Sequence, residues 1–266
     1  MMYTVRDIVK SINMEYEIIG YEGCTFNSFV PIDNAHKNGF SFCVGTDKKS
    51  IDRIIQSRSK IVICHKDITI PKFDKTLIKV ENPRLAFIRF LNSVHKYKAK
   101  IHPSAIINDN VSIGKNVTIK PLCTIGFEGF SFEKNERREL EHFPHLGGVV
   151  IEDNVSIGAG ACIDRGTLSD TIIGEGTQIN NLVHIGHNVI TGKYSVIGAG
   201  VLILGGVHIE DGAWIAPGAI IRDNTKVGRD ATVGMGAVTT KNVEDEDVVI
   251  GVPARSKYKN GVVAKS

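Results

Sequence analysis

At 266 residues the chain is long enough for one large or two modest domains, and its 42% apolar content is that of an ordinary globular protein. A net charge of +3 with no long basic run argues against a nucleic-acid interface, and no apolar stretch approaches the ~20 residues that span a bilayer. Five cysteines, Cys24, Cys43, Cys64, Cys123 and Cys162, form no CxxC pair; with no signal-peptide apolar region in Met1–Met14, they predict reduced thiols and a cytoplasmic location.

The first ~98 residues read as a small α/β domain. Val5 to Met14 alternates charged and apolar residues as an amphipathic helix does. Phe40 to Val44, Ile61 to Cys64 and Leu77 to Val80 read as short strands. Asn82-Pro83 reads as a helix start, with Asn as cap and Pro in the first turn, leading into Leu85 to Val94. The lysine-rich patch from Lys96 to Lys100 reads as a solvated linker face.

From Ile101 the pattern changes. An aliphatic residue returns every six positions: Ile101, Ile107, Ile113, Ile119 and Ile125, then Ile151, Ile157 and Ile163. After an offset the series continues from Ile173, Ile179 and Ile185 to Val233, with Thr191 as its one non-aliphatic member. A small or β-branched residue follows four positions later, as at Val117, Val183, Ala213 and Ala231. Six is neither the helical period nor the simple strand period. It fits a short strand plus a corner, with two inward residues per repeat, and such units share a core only when stacked. The predicted fold is mainly β, a parallel β-helix over residues 99–250. Few aromatics and 27 glycines suit its tight corners. Residues 127–150 break the period and carry Glu128, Arg137, Arg138, Glu141, His142 and His145; a loop of this length is usually functional. Residues 251–266 read as a short polar tail.

Several blocks resemble the UDP-3-O-(3-hydroxyacyl)glucosamine N-acyltransferases of lipid A synthesis: Gly39-Phe40-Ser41-Phe42 and Glu81-Asn82-Pro83, Ile125-Gly126-Phe127-Glu128-Gly129-Phe130, Ile163-Asp164-Arg165-Gly166, and Asn181 to Val189 around His184 and His187. The resemblance implies a left-handed helix, a homotrimer with sites between neighbouring helices, a general base at His187 and an oxyanion-binding N–H at Gly205. It places Phe42 against a nucleotide base and keeps Asn82 among the substrate-binding candidates. Three features depart from it. The second family histidine falls on Asn224, the base-binding Asn and Tyr fall on Gly45 and Lys48, and the ending Gly251-Val252-Pro253-Ala254-Arg255 looks like that of CoA-dependent sugar acetyltransferases. The expected reaction is therefore transfer from an acyl-CoA co-substrate to the amine of a UDP- or dTDP-linked sugar, for cell-surface polysaccharide or lipopolysaccharide synthesis. The lipid A enzyme with acyl carrier protein, and a hexapeptide-type O-acetyltransferase, are the alternatives.

Amide formation from a thioester needs a free amine and an oxyanion donor, roles that a histidine and a fixed N–H can fill without a covalent intermediate. At eighteen residues per coil, Gly205 stacks on His187; allowing for a four-residue insertion at a corner, Leu168 to Thr171, Arg165, with Asp164 beside it, falls one rung below. Either is a candidate to hold the imidazole or to bind phosphate. Glu141, His142, His145 and His184 are candidates to touch substrate; Trp214, Asn224 and Arg255 are candidates to touch the cofactor. No metal is expected, because the histidine pair of a γ-type carbonic anhydrase would need His at position 192, which is Gly. A purely structural solenoid is disfavoured by the His187–Gly205 stack and the charged loop.

Overall fold

The computed structural model describes residues 1–70, 74–95, 100–259 and 262–263. The chain divides into two compact units, Met1–Tyr97 and Lys98–Ser266. Apart from Lys100, the Lys96–Lys100 patch lies outside the described residues.

In the first unit, helix α1 (Val5–Ile12) starts in a capping box: Thr4 Oγ1 accepts from Asp7 N–H, and Asp7 Oδ2 accepts from Thr4 N–H. It buries Val5, Ile8 and Ile12 and stops at Asn13, whose φ of 45° is left-handed, so it ends short of the expected Met14. Five strands form a mixed sheet in the order Tyr16–Ile19, Thr76–Val80, Ile61–His65, Gly39–Phe42 and Ser28–Phe29, with Tyr16–Ile19 antiparallel to its neighbour and the others parallel. Helix α2 (Lys48–Gln56) was not anticipated. Its signal is Asp47, whose carboxylate accepts from Ser50 N–H as an N-cap. Helix α3 (Pro83–Val94) begins as expected, with Asn82 Oδ1 accepting from Leu85 N–H at 3.0 Å.

The second unit is a left-handed parallel β-helix. Its two- to four-residue strands stack into three sheets of six, seven and eight strands among the described residues. Register is regular: His184 pairs with Leu202, Leu202 with Ile220 and Ile220 with Val238, eighteen residues per coil. The six-residue series is the interior, and Ile157, Ile185, Ile203, Ile215 and Ile221 are fully buried. The companion series lies beside it at Val155, Val183, Val201, Ala213 and Ala219. Burying each such Ile is worth about 1.5–3 kcal/mol. Thr191 is buried in line with them, its Oγ1 accepting from Gly174 N–H. Most corners turn on a residue with positive φ. One column runs Leu122, Gly160, Leu182, Gly200, Gly218 and Gly236; another runs Asn188, Gly206 and Asn224. The 127–150 excursion is a hairpin, with Phe132–Lys134 antiparallel to Leu140–His142, before Val149–Ile151 rejoins the stack.

Candidate functional site

The side chain of the residue before each inward Ile points outward, so the strand His184–Ile185 presents His184 on the seven-stranded face. Two residues on, the chain turns at His187-Asn188, with Asn188 at φ 59°. One coil higher the same corner is Gly205-Gly206, and above that Asp223-Asn224; Gly206 N–H donates to His187 O and Asn224 N–H to Gly205 O. The His187 ring lies flat against the next coil at Gly205. A Cβ there would stand 2.7 Å from both Cε1 and Nε2, so the close approach requires glycine. Gly205 N–H donates to no acceptor among the described residues.

What orients His187 is Asn188, a residue the sequence reading quoted but gave no role. Asn188 Oδ1 accepts from Thr167 N–H at 3.1 Å and from Thr167 Oγ1 at 2.9 Å, and its Nδ2 donates to Ser169 O at 3.0 Å. A backbone N–H only donates and a backbone carbonyl only accepts, so these contacts fix which way the amide faces. Its Oδ1 lies 3.0 Å from His187 Nδ1. Nδ1 must therefore carry the hydrogen, leaving the lone pair on Nε2, the atom that faces Gly205. The signal in the sequence was an Asn at a left-handed corner beside the 168–171 insertion, which supplies Ser169, with Thr167 immediately before it.

This corrects the expectation that Arg165 or Asp164 holds the imidazole. Arg165 Nε donates to Gly147 O at 2.8 Å and ties the returning loop to the coil. Asp164 belongs to a neighbouring cluster instead. Its Oδ2 is 3.8 Å from His184 Nε2, and burial pushes its carboxyl up, opposed by His184, His187 and His145. The hairpin brings His142 and His145 here: their rings stack at 5.7 Å, and His145 meets His187 edge-on at 5.3 Å. His142 Nδ1 is 3.9 Å from Glu128 Oε2. Glu141 does not join them; its Oε1 accepts from Asn135 Nδ2 within the hairpin.

Other candidates lie elsewhere. Trp214 is 56% exposed on the eight-stranded face beside Val196, not on the face of His184. Arg255 is exposed at the last coil, lining an open ~270 Å³ pocket with Thr240 and Asn242. Asn224 continues the site's corner, but its amide crowds Gly206 and donates to Asp223 Oδ2. In the first unit, Phe42 packs its ring on Phe87 at 4.7 Å, at the margin of a cluster with Phe26, Phe40 and Phe90, and Asn82 is occupied as a helix cap.

The bacterial transferase hexapeptide (six repeats) pattern matches residues 170–205 and 206–241. The chain is 29% identical over 256 positions to UDP-3-O-acylglucosamine N-acyltransferase 1 of Legionella pneumophila (strain Paris), covering 75% of this chain and 71% of that one. It is 46% identical over 144 residues to UDP-3-O-acylglucosamine N-acyltransferase 2 of the same organism, covering 54% of this chain and 42% of the relative, so there it spans less than half the relative's length. The structure of a UDP-N-acetylglucosamine acyltransferase from Bacteroides fragilis 9343 shares the fold, with a TM-score of 0.52 and 18% identity over 86% of this chain and 71% of that one.

Proposed function

From a chain built of bacterial transferase hexapeptide repeats and related in sequence to N-acyltransferases, we propose that the protein moves an acyl group from a thioester carrier to the amine of a nucleotide-linked sugar. The relatives' names favour UDP-3-O-acylglucosamine as the acceptor over an unspecified amino sugar. The observation that carries the reading is the Nε2 lone pair of His187, fixed by Asn188, on a ring packed against Gly205, whose N–H has no acceptor among the described residues.

The chemistry follows from those two groups. The amine nitrogen attacks the thioester carbonyl, a C–N bond forms, and the carbonyl electrons move to oxygen, where the Gly205 N–H stabilises them. His187 Nε2 takes the proton from nitrogen. Collapse breaks the C–S bond, and the imidazolium returns that proton to the leaving thiolate. Asn188 Oδ1 stays hydrogen-bonded to Nδ1 throughout and favours the imidazolium as it forms.

The protein acts in the cytoplasm as a homotrimer in this reading. Val196 and Trp214, paired on adjacent rungs and exposed at 42% and 56%, are the kind of apolar strip a neighbouring helix would cover. Light scattering at micromolar concentration tests it, and a monomer would remove the basis for a site shared between subunits. Whether the donor is an acyl-CoA or an acyl carrier protein is decided by turnover with one acyl group on each carrier. Incubation of UDP-3-O-acylglucosamine with either donor should release free thiol and give an amide. No amide with either donor would sink the proposal.

A further inference from the structure

The hairpin beside the base has two unlike faces. Phe132 pairs with His142 and Lys134 with Leu140 across its strands, so these four share one face, and Glu133 and Glu141 share the other. The first face is largely apolar. Phe130 stands edge-on to Phe132 at 4.9 Å, and the Phe132 ring lies 5.1 Å from that of His142. This face is also uncovered: Phe130 is 87% exposed, Leu140 63% and Phe132 42%. From His142 the ring contacts continue inward, to His145 at 5.7 Å and from there to His187 at 5.3 Å. An exposed apolar strip thus starts two rings from the base and runs out along the hairpin.

Solvated aromatic side chains gathered on one face gain free energy when something apolar covers them. Three side chains offer far less than the ~800 Å² a side that a stable protein complex buries, so the occupant that fits is a small apolar group. The acceptor supplies one. In a 3-O-acylated glucosamine the amine and the ester oxygen sit on neighbouring carbons. An amine within reach of His187 Nε2 therefore starts its acyl chain beside the same ring. The two substrates also approach from different levels. Gly205, the oxyanion donor for the thioester, belongs to the coil above His187. The hairpin leaves the stack at Phe127, which pairs with Asp164 in the coil below His187.

We propose that the face carrying Phe130, Phe132 and Leu140 is the subsite for the acceptor's own acyl chain, so that the protein selects a sugar already esterified next to its amine. The chain lies along the aromatic strip and shields it from water, while Glu133 and Glu141 keep the opposite face solvated. This assignment rests on the N-acyl transfer reading above.

The test is binding without a donor, by calorimetric titration of the full chain with UDP-glucosamine and with a series of its 3-O-acyl esters of increasing length. Wild-type affinity should rise about two- to fourfold per methylene. Phe130→Ala/Leu140→Ala, which trims two solvent-facing side chains, should flatten that slope and leave UDP-glucosamine binding unchanged. Glu133→Gln, on the opposite face, should keep the wild-type slope. No rise with chain length in wild type, a slope that survives the double variant, or a double variant that weakens UDP-glucosamine as much as its esters overturns the subsite while leaving N-acyl transfer standing. So does a change of oligomeric state in the double variant by light scattering, which would give this face to a second copy of the chain. If wild type binds none of these sugars, the nucleotide-sugar reading falls first and takes the subsite with it.

Discussion

Two corners of the same β-helix, built on the same backbone turn, differ in what they do with one N–H. At most of the corner that holds Asn116, Asn154, Tyr194 and Asp230, the second residue after the inward aliphatic has its N–H capped by a side chain: Lys115 by Asp153, Lys193 by Asp211 and Arg229 by Asp245, at 2.7–2.8 Å. At the corner of His187, the equivalent N–H of Gly205 is left open, and the acid stacked above it, Asp223, accepts from its own neighbour Asn224 instead. The first corner spends its polar groups on closing the coil. The second keeps a donor and a histidine lone pair unsatisfied, the condition for acting on a ligand.

The sharpest way to break this contrast is His187→Ala. Turnover should fall by about two to four orders of magnitude, the usual share of a general base. The melting temperature should hardly change, because the ring is outside the aliphatic stack. Near-normal turnover would move the base elsewhere. Next in size is Gly205→Ala, whose methyl would stand 2.7 Å from the His187 ring. Displacing the imidazole by a fraction of an ångström should cost on the order of 10²-fold in turnover, and unchanged kinetics would show that the close approach is unimportant.

On the structural side, Asp211→Ala removes the cap on Lys193 N–H and should lower stability by about 1 kcal/mol with turnover intact. Asp223→Ala, at the matching position of the other corner, should stay within about 0.5 kcal/mol. Denaturant titration of both variants checks the pair, and equal losses would erase the distinction between the corners. The subtlest effect is one of sign. Burial raises the Asp164 carboxyl above its ordinary value, so ionisation favours the unfolded chain. The stability contribution is present below the unfolded value of 3.8 and lost as pH rises through the higher folded one. Asp164→Asn should thus be more stable than wild type at neutral pH, with the gap closing in acid. A variant less stable at pH 7 would mean that the carboxylate is structurally required.

The sequence was most legible where the structure is one-dimensional. Ile157, Ile185 and Ile203 declare the interior because each repeat meets only its neighbours, and the same arithmetic places Gly205 on His187. It failed where contacts are not set by the period. Nothing periodic says that Arg165 turns to the loop carbonyl of Gly147, that Asn188 borrows Ser169 from the insertion and Thr167 from just before it, or that the hairpin returns His145 to a buried place beside His187. In the first unit, helix α2 was missed because its apolar positions Ile51, Ile54 and Ile55 are few and only Asp47 marks its start.

The eighteen-residue coil also makes the molecule behave like a screw with a three-position dial. Removing one whole coil translates everything above by one step and leaves each residue on its own face. Removing six residues keeps every interior position in step but turns all that follows by a third of a revolution. Cutting out residues 192–197 would leave the interior stack in step, yet His187 would meet Asp211 instead of Gly205, and the chain could fold while its chemistry was dialled to the wrong face.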